Sequence, residues 1–166
     1  AGQLTVIEEH LITNFIRQRL LGLAQLHAPF ANGPRLICAC APNEQHEINL
    51  LMFALLMEQR GWEIVYLGQN VALDGMGEFL GRAAPAFVCI SVTLIEHLPG
   101  MIDMCRLIKS YEPNHLTLVY GGQLFELYPE FQQRIPGAFL GPDLFGAANR
   151  LEGLAEQVPA AARMIA

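Results

Sequence analysis

The segment Ala86–Val92 reads AFVCISV and decides the fold. A continuous apolar run of this kind is typical of a strand that is buried on both faces of a parallel sheet. Four further apolar runs flank it along the chain: Arg35–Ala41 (RLICACA), Glu63–Leu67 (EIVYL), Leu116–Tyr120 (LTLVY) and the brief Ala138–Leu140. All five runs are predicted to be strands.

Longer amphipathic segments separate the strands and predict helices at about 47–60, 74–82, 98–110, 124–134 and 144–158. Asp143 is placed to N-cap the last of them. Strands that alternate with helices predict an α/β fold, a five-stranded, doubly wound parallel sheet of the flavodoxin-like kind with right-handed crossovers. Ligands of such sheets bind beyond the carboxyl ends of the strands, so the loops after the strands are where a site is expected.

The first part of the chain stands outside this alternation. The stretch Leu4–Leu26 reads as one helix with two apolar stripes, and one sheet domain would cover only one of them. The stripes are Leu4, Ile7, Leu11 and Phe15, and Ile12, Ile16, Leu20 and Leu23. We therefore expect 1–27 to be the last helix of a truncated helical cap bundle, whose other helices precede Ala1 or come from another subunit. Residues 28–33 (APFANG) are then a linker, and 34–166 form the α/β domain.

Composition limits the class of protein. Of the 166 residues, 52% are hydrophobic and 16% charged, which excludes a disordered chain. The longest apolar run, Ile48–Met57, is shorter than the ~20 residues of a membrane span, and no signal peptide opens the chain, so we expect a cytoplasmic protein. A net charge of -6 disfavours contacts with DNA phosphates, and the four cysteines read as small buried residues.

The first post-strand loop, Asn43–Glu47, holds a histidine with a carboxylate two residues before it. A carboxylate such as Glu44 can accept the second ring N–H of His46, which is how proteins orient a metal-ligating imidazole. A single histidine suits a metal whose other positions are filled by a macrocycle. A solvated surface histidine is the alternative interpretation of the same residues.

Two further loops carry candidate binding residues. Ser91 and Thr93 end the most buried strand and point to the same side of an extended chain, although hydroxyls there often bond to local backbone. Tyr120-Gly121-Gly122 follows the fourth strand, and paired glycines let a bulky ligand approach the backbone, or form a simple tight turn.

Together, Glu44-x-His46, Ser91-x-Thr93 and Gly121-Gly122 resemble the motif of the cobalamin-binding domain family, over essentially all of 34–158. The resemblance implies that the dimethylbenzimidazole tail of cobalamin leaves cobalt and enters a slot beside the sheet, and that His46 replaces it as lower axial ligand. It implies the following cofactor contacts: Asn43, Glu44 as the orienter of His46, Gln45, Glu47, Ser91, Thr93, Leu94, Tyr120, Gly121, Gly122 and Gly141. One position departs from the motif, since Asn49 stands where the family has glycine.

The N-terminal helix narrows the resemblance. Glu9-His10 is similar to the end of a signature, a Trp, nine residues and Glu-His, found in light-responsive, cobalamin-dependent MerR-type transcription regulators. The Trp would fall before Ala1. The resemblance implies that Glu9 and His10 lie over the upper face of the corrin, near an adenosyl group. An exposed helical charge pair is the alternative interpretation.

The resemblance implies a sensory domain that is not an enzyme. Adenosylcobalamin is the expected cofactor, with methylcobalamin or hydroxocobalamin as other forms. The resemblance implies a homo-oligomer in the dark that light dissociates, DNA contact only through an upstream domain, and no membrane. The alternative is a corrinoid methyl-carrier domain of a methyltransferase, which uses the same lower-ligand motif. A flavodoxin-like or response-regulator domain without cobalamin is disfavoured, because the sequence lacks an acidic phosphoacceptor pocket and a phosphate-binding loop.

Overall fold

The computed structural model describes residues 5–26, 33–111 and 116–157. Its sheet has five strands in the order β2-β1-β3-β4-β5, and every neighbouring pair is parallel. The strands are β1 (Arg35–Cys40), β2 (Glu63–Gly68), β3 (Phe87–Ser91), β4 (Thr117–Gly121) and β5 (Ala138–Phe139). This order is the flavodoxin-like arrangement that the sequence predicts, so the fold class is confirmed.

Helices cover both faces of the sheet, which is why the central strands are apolar throughout. All of β3 is buried, as are the residues of β1 after Arg35. The helices are α1 (Val6–Leu26), α2 (Ile48–Gln59), α3 (Met76–Ala83), α4 (Leu98–Ser110), α5 (Leu124–Leu127) and α6 (Leu144–Gln157). One core lies between the sheet and α3, α4 and α5, and the other lies between the sheet and α2 and α6.

The predicted helix at 124–134 is wrong in one respect. The structure divides it into α5 and a 3₁₀ segment, Pro129–Arg134. Tyr128 between them has φ -135° and ψ 72°, because the ring of Pro129 disfavours the helical conformation in the residue before it.

The predicted N-cap of α6 is confirmed, since the main-chain N–H of Gly146 donates to Asp143 Oδ1 at 2.7 Å.

α1 begins with a capping box. Thr5 N–H and Oγ1 donate to Glu8 Oε2 at 2.7 and 2.8 Å, and Glu8 N–H donates back to Thr5 Oγ1 at 3.3 Å. Most apolar side chains of α1 are exposed in this chain, with Ile7 at 80% and Leu11 at 70%. Near its other end, Leu20 and Leu23 line a groove with Met52 of α2. The sequence predicts that both apolar stripes of α1 are buried. The part of the chain that the structure describes leaves most of their side chains exposed.

All four cysteines are buried as free thiols, as predicted. Burial raises the pKa of Cys40, Cys89 and Cys105 to about 12. Cys38, Cys40 and Cys89 lie in the core under α2, and Cys105 lies in the core on the opposite face.

No helix within the described ranges is long and apolar enough to cross a membrane. Of the predicted linker, 28–32 lies outside the described residues.

Candidate functional site

Glu44 is the centre of the site, and it is completely buried. Its Oε1 accepts the main-chain N–H of His46 at 2.9 Å and lies 2.6 Å from the ring atom Nδ1 of the same residue. Its Oε2 accepts the main-chain N–H groups of Thr93 at 2.7 Å and Leu94 at 3.1 Å. The loops after β1 and β3 are thus joined through one carboxylate, because β1 and β3 are neighbours in the sheet.

These hydrogen bonds keep Glu44 ionised. Burial alone would raise its pKa, but the bonds from the main chain of His46 and Thr93 and from two histidine rings lower the pKa to about 2. An ionised carboxylate only accepts hydrogen bonds, so Nδ1 of His46 carries the proton. Nε2 of His46 then holds a lone pair, on a side chain that is 50% exposed. The arrangement presents an oriented imidazole nitrogen to a ligand outside the sheet.

His97 is a partner of Glu44 that sequence reasoning missed. From the sequence, His97 follows the third strand and either borders the pocket or starts the next helix. In the structure it ends a 3₁₀ turn, Ile95–His97, directly before α4. Its Nδ1 lies 3.2 Å from Glu44 Oε2, and its side chain is 15% exposed. No local spacing signals this contact, because His97 and Glu44 lie on separate post-strand loops.

A cavity of about 320 Å³ opens beside the sheet, within the ~300–1,000 Å³ range of small-molecule sites. Its walls come from the first turns of α2, the ends of β3 and β4, and the loop that leads into α6. The lining residues include Asn49, Phe53, Cys89, Ser91, Gly121, Gly122, Gln123, Glu126, Leu140, Gly141, Asp143 and Ala147. The sequence predicts Ser91 and the three glycines as cofactor contacts, and it does not single out the apolar lining residues Phe53, Leu140 and Ala147.

The two paired glycines have different functions. A Cβ on Gly122 would lie 1.9 Å from the carbonyl oxygen of Val92, and its φ of +115° is one that side chains rarely adopt. Gly122 is therefore required by the protein's own packing. A Cβ on Gly121 would meet no atom within 4 Å, and Gly121 lines the cavity. The missing side chain of Gly121 thus leaves space that a ligand can fill.

Asn49, which replaces the motif glycine, lies on the cavity wall. It belongs to the first turn of α2, three residues after His46. Ser91, at 6% exposure, lines the same cavity from the end of β3. The loop that carries His46 and the cavity therefore lie at the same edge of the sheet, only three residues apart along the chain.

Glu47 was predicted to contact the cofactor, and that contact stays a prediction. Its carboxylate is buried and engaged elsewhere: Oε1 lies 2.5 Å from Nε of Arg17 on α1, and Oε2 accepts the hydroxyl of Tyr66 on β2 at 2.8 Å. A buried carboxylate requires such partners. The carboxylate of Glu47 therefore links α1 to the loop that carries His46.

The structure places the side chain of Tyr120 on the other face of the sheet, and its contact with the cofactor stays a prediction. Side chains alternate along a strand, and Gly121 faces the cavity, so Tyr120 faces the opposite core. Its ring packs against Phe125 and Phe139, and its hydroxyl donates to the Gln132 carbonyl at 3.1 Å. Tyr120 is not among the lining residues of the cavity.

Thr93 and Leu94 contact Glu44 through their main chain. The resemblance implies that Thr93 lines the slot and that Leu94 contacts the cofactor, and both stay predictions. In the structure their main-chain N–H groups donate to Glu44. Both residues lie past the end of β3, where the chain turns toward α4.

The remaining predicted residues lie on exposed positions. Asn43 has a φ of 67°, and its main-chain N–H donates to Asn70 Oδ1 at 2.8 Å, which fixes the turn before Glu44. Gln45 is exposed beside His46. Glu9 and His10 are exposed on α1, and their contact with an upper ligand stays a prediction.

Fold and site together define a doubly wound α/β domain that binds a cofactor beyond the carboxyl ends of its strands. The family model described as the B12 binding domain matches residues 34–144. The chain belongs to the B12-binding domain family, and it is a cobalamin-binding domain. The family predicted from the three sequence motifs is thereby confirmed.

Among curated proteins, the chain is 32% identical over 123 residues to the HTH-type transcriptional repressor CarH of Myxococcus xanthus. The match covers 74% of this chain and 40% of that repressor, so this chain spans less than half of the length of its relative. The similarity to a transcription regulator that the sequence predicts is confirmed.

Two solved structures share the fold. One is a novel cobalamin-binding protein from Desulfitobacterium hafniense DCB-2, with a TM-score of 0.64, 21% identity and coverage of 77% of this chain and 60% of that chain. The other is the methanol:cobalamin methyltransferase complex MtaBC from Methanosarcina barkeri, with a TM-score of 0.66, 13% identity and coverage of 81% and 51%.

Proposed function

We propose that this domain holds cobalamin with His46 as the lower axial ligand of cobalt and with the nucleotide tail of the cofactor in the cavity beside the sheet. The observation that carries the proposal is the 2.6 Å contact between Glu44 Oε1 and His46 Nδ1, made by a carboxylate that is completely buried. This contact fixes the proton on Nδ1 and leaves Nε2 as the ligating atom.

The cavity supports the second half of the proposal. Ser91 offers a hydroxyl and Phe53, Leu140 and Ala147 offer apolar surface, a combination that suits a flat heterocyclic base. Gly121 leaves unfilled space where any larger residue would project. The donor set is one imidazole, which fits a cobalt ion whose equatorial positions are occupied by the corrin.

We further propose that the domain is the sensory part of a light-responsive transcription regulator, with adenosylcobalamin as cofactor. The similarity to the repressor CarH supports this. In this proposal Glu9 and His10 lie over the upper face of the corrin. Bound adenosylcobalamin supplies a cobalt–carbon bond that light can break. The chain's own contribution is the contact of Arg17 on α1 with Glu47, which connects the cap helix to the lower-ligand loop. In this proposal the cofactor controls the oligomeric state, since it must bind one assembly better than the other.

Spectroscopy of the lower ligand tests the first proposal. The full chain is mixed with adenosylcobalamin and compared with His46→Ala, which should lose the spectrum of the histidine-ligated cofactor and bind about tenfold or more weakly. Glu78→Gln is the control, because Glu78 is 83% exposed on α3. A His46→Ala complex with the wild-type spectrum and affinity would refute the assignment.

Illumination tests the second proposal. The molecular mass of the adenosylcobalamin complex of the full chain is followed by light scattering before and after light exposure, and a fall in mass is expected. An unchanged mass would remove the regulator proposal and leave cofactor binding intact.

A corrinoid methyl carrier is the second candidate function, and the fold shared with the methyltransferase complex MtaBC favours it. Its test is methyl transfer from the methylcobalamin complex of the chain to a thiol acceptor in the presence of a methyltransferase partner. Transfer with no light-dependent change in mass would favour the carrier.

A further inference from the structure

We infer that Asn49 is a specificity-determining residue, whose side-chain amide donates a hydrogen bond to the phosphodiester of the cofactor's nucleotide tail at the mouth of the cavity. This role rests on the proposed function, which places the tail in the cavity. Asn49 is the position at which this chain departs from the family motif, so glycine in the motif does not supply such a donor.

The cavity has a buried inner end and a polar mouth. Phe53, Cys89 and Ser91 line it at 5%, 3% and 6% exposure, so they lie at the inner end. The polar lining residues that are exposed, and so form the mouth, are Asn49, Gln123, Glu126 and Asp143. A tail with a flat heterocyclic base at one end and a phosphodiester nearer the corrin therefore fits with its base inside and its phosphodiester at the mouth.

The charges at the mouth leave few ways to hold a phosphodiester. None of the described residues that line the cavity is a lysine, an arginine or a histidine. Two of the four mouth residues, Glu126 and Asp143, are carboxylates, which repel a second negative charge. The phosphodiester therefore depends on neutral N–H donors, and the side chains that offer them at the mouth are the amides of Asn49 and Gln123.

Asn49 is the better placed of these two amides. Gln123 precedes Glu126 by three residues at the start of α5, so a phosphodiester bound there would lie close to that carboxylate. Asn49 lies in the first turn of α2, where the nearest carboxylate along the chain, Glu47, is already paired with Arg17. The side-chain amide of Asn49 also has no hydrogen-bond partner among the described residues, so its N–H groups are available to a ligand.

Titration with two corrinoids tests this role. The full chain is titrated in the dark with adenosylcobalamin and with adenosylcobinamide, which has the same corrin and upper ligand but lacks the nucleotide tail. Asn49→Ala removes the donor and should weaken binding of adenosylcobalamin by about three- to tenfold, with no change for adenosylcobinamide. Asn49→Asp keeps the size of the side chain but adds a charge. It should weaken binding of adenosylcobalamin by about tenfold or more, and this loss should shrink at high salt.

Two matched variants make the same change from amide to carboxylate elsewhere. Gln133→Glu lies on an exposed position outside the cavity and should bind both corrinoids as wild type does. Gln123→Glu adds a charge at the other amide of the mouth and should weaken binding of adenosylcobalamin less than Asn49→Asp does. Thermal unfolding of each apo-protein verifies that the variants are folded.

The variants separate this role from the proposed function. If Asn49→Ala binds adenosylcobalamin as tightly as wild type or more tightly, Asn49 is not a donor to the tail. The inference is also overturned if Asn49→Asp weakens both corrinoids equally, or if Gln123→Glu has the larger effect. If wild type itself binds the two corrinoids with equal affinity, the tail does not use the cavity and that part of the proposed function fails, whatever the variants of Asn49 do.

Discussion

Replacement of the Glu44 carboxylate by an amide tests whether the buried group is ionised. Hydrogen bonds from both histidine rings and the main chain overcome burial and hold its pKa near 2, against an ordinary value of 4.5. Since the folded pKa is the lower one, ionised Glu44 stabilises the fold fully above pH 4.5, and this contribution is lost as the pH falls toward 2. At about 1.36 kcal/mol per pH unit, it is about 3 kcal/mol at neutral pH. About 2 kcal/mol of it disappears between about pH 5.5 and about pH 3.

Urea unfolding of wild type and Glu44→Gln at these two pH values measures the effect. The difference in free energy of unfolding between the two proteins should shrink by about 2 kcal/mol at the lower pH. Glu78→Gln serves as the control, because a carboxylate that is 83% exposed should add little to the pH dependence. If the difference is the same at both pH values, Glu44 is not ionised in the folded chain, and the proton assignment of His46 fails with it.

Further substitutions test the cavity and the attachment of α1. Gly121→Ala should fold as wild type but bind cobalamin about tenfold or more weakly, because its Cβ enters the cavity, whereas Gly122→Ala should lose about 2 kcal/mol or more of stability. Calorimetric titration and urea unfolding measure the two effects, and equal losses of stability would contradict the distinction. Arg17→Met should destabilise the chain by about 1–3 kcal/mol, less than for a fully buried pair because Arg17 is 43% exposed. A double-mutant cycle with Glu47→Gln that gives no coupling energy would contradict the ion pair.

Most of the fold follows from hydrophobic pattern alone. The apolar run at Ala86–Val92 becomes β3 because a strand with helices on both sides needs apolar residues on both faces. The Glu44–His46 pair was predictable for a different reason. The two residues lie close together on one short loop. The division of 124–134 was readable too, because Pro129 restricts the residue before it.

The parts that were missed depend on long-range contacts. His97 meets Glu44 only because β1 and β3 are adjacent, and Arg17 meets Glu47 only because α1 packs near α2. Phe53 faces a cavity but has the same pattern as a core residue, since both are apolar positions on a buried helix. Tyr120 is different, because the alternation of side chains along β4 was sufficient to place it opposite Gly121.

The buried thiols give the chain a built-in probe of local opening. Thiol reagents attack the thiolate, and a pKa of about 12 leaves Cys89 and Cys105 protonated and shielded in the folded state. Alkylation of Cys105 therefore requires the layer of α4 to open, whereas Cys89 lies on the wall of the cavity. Since Cys105 lies under α4 and Cys89 lies on the cavity side of the sheet, their labelling rates report separately on access to the two faces of the sheet. Cofactor in the cavity should slow the labelling of Cys89 alone.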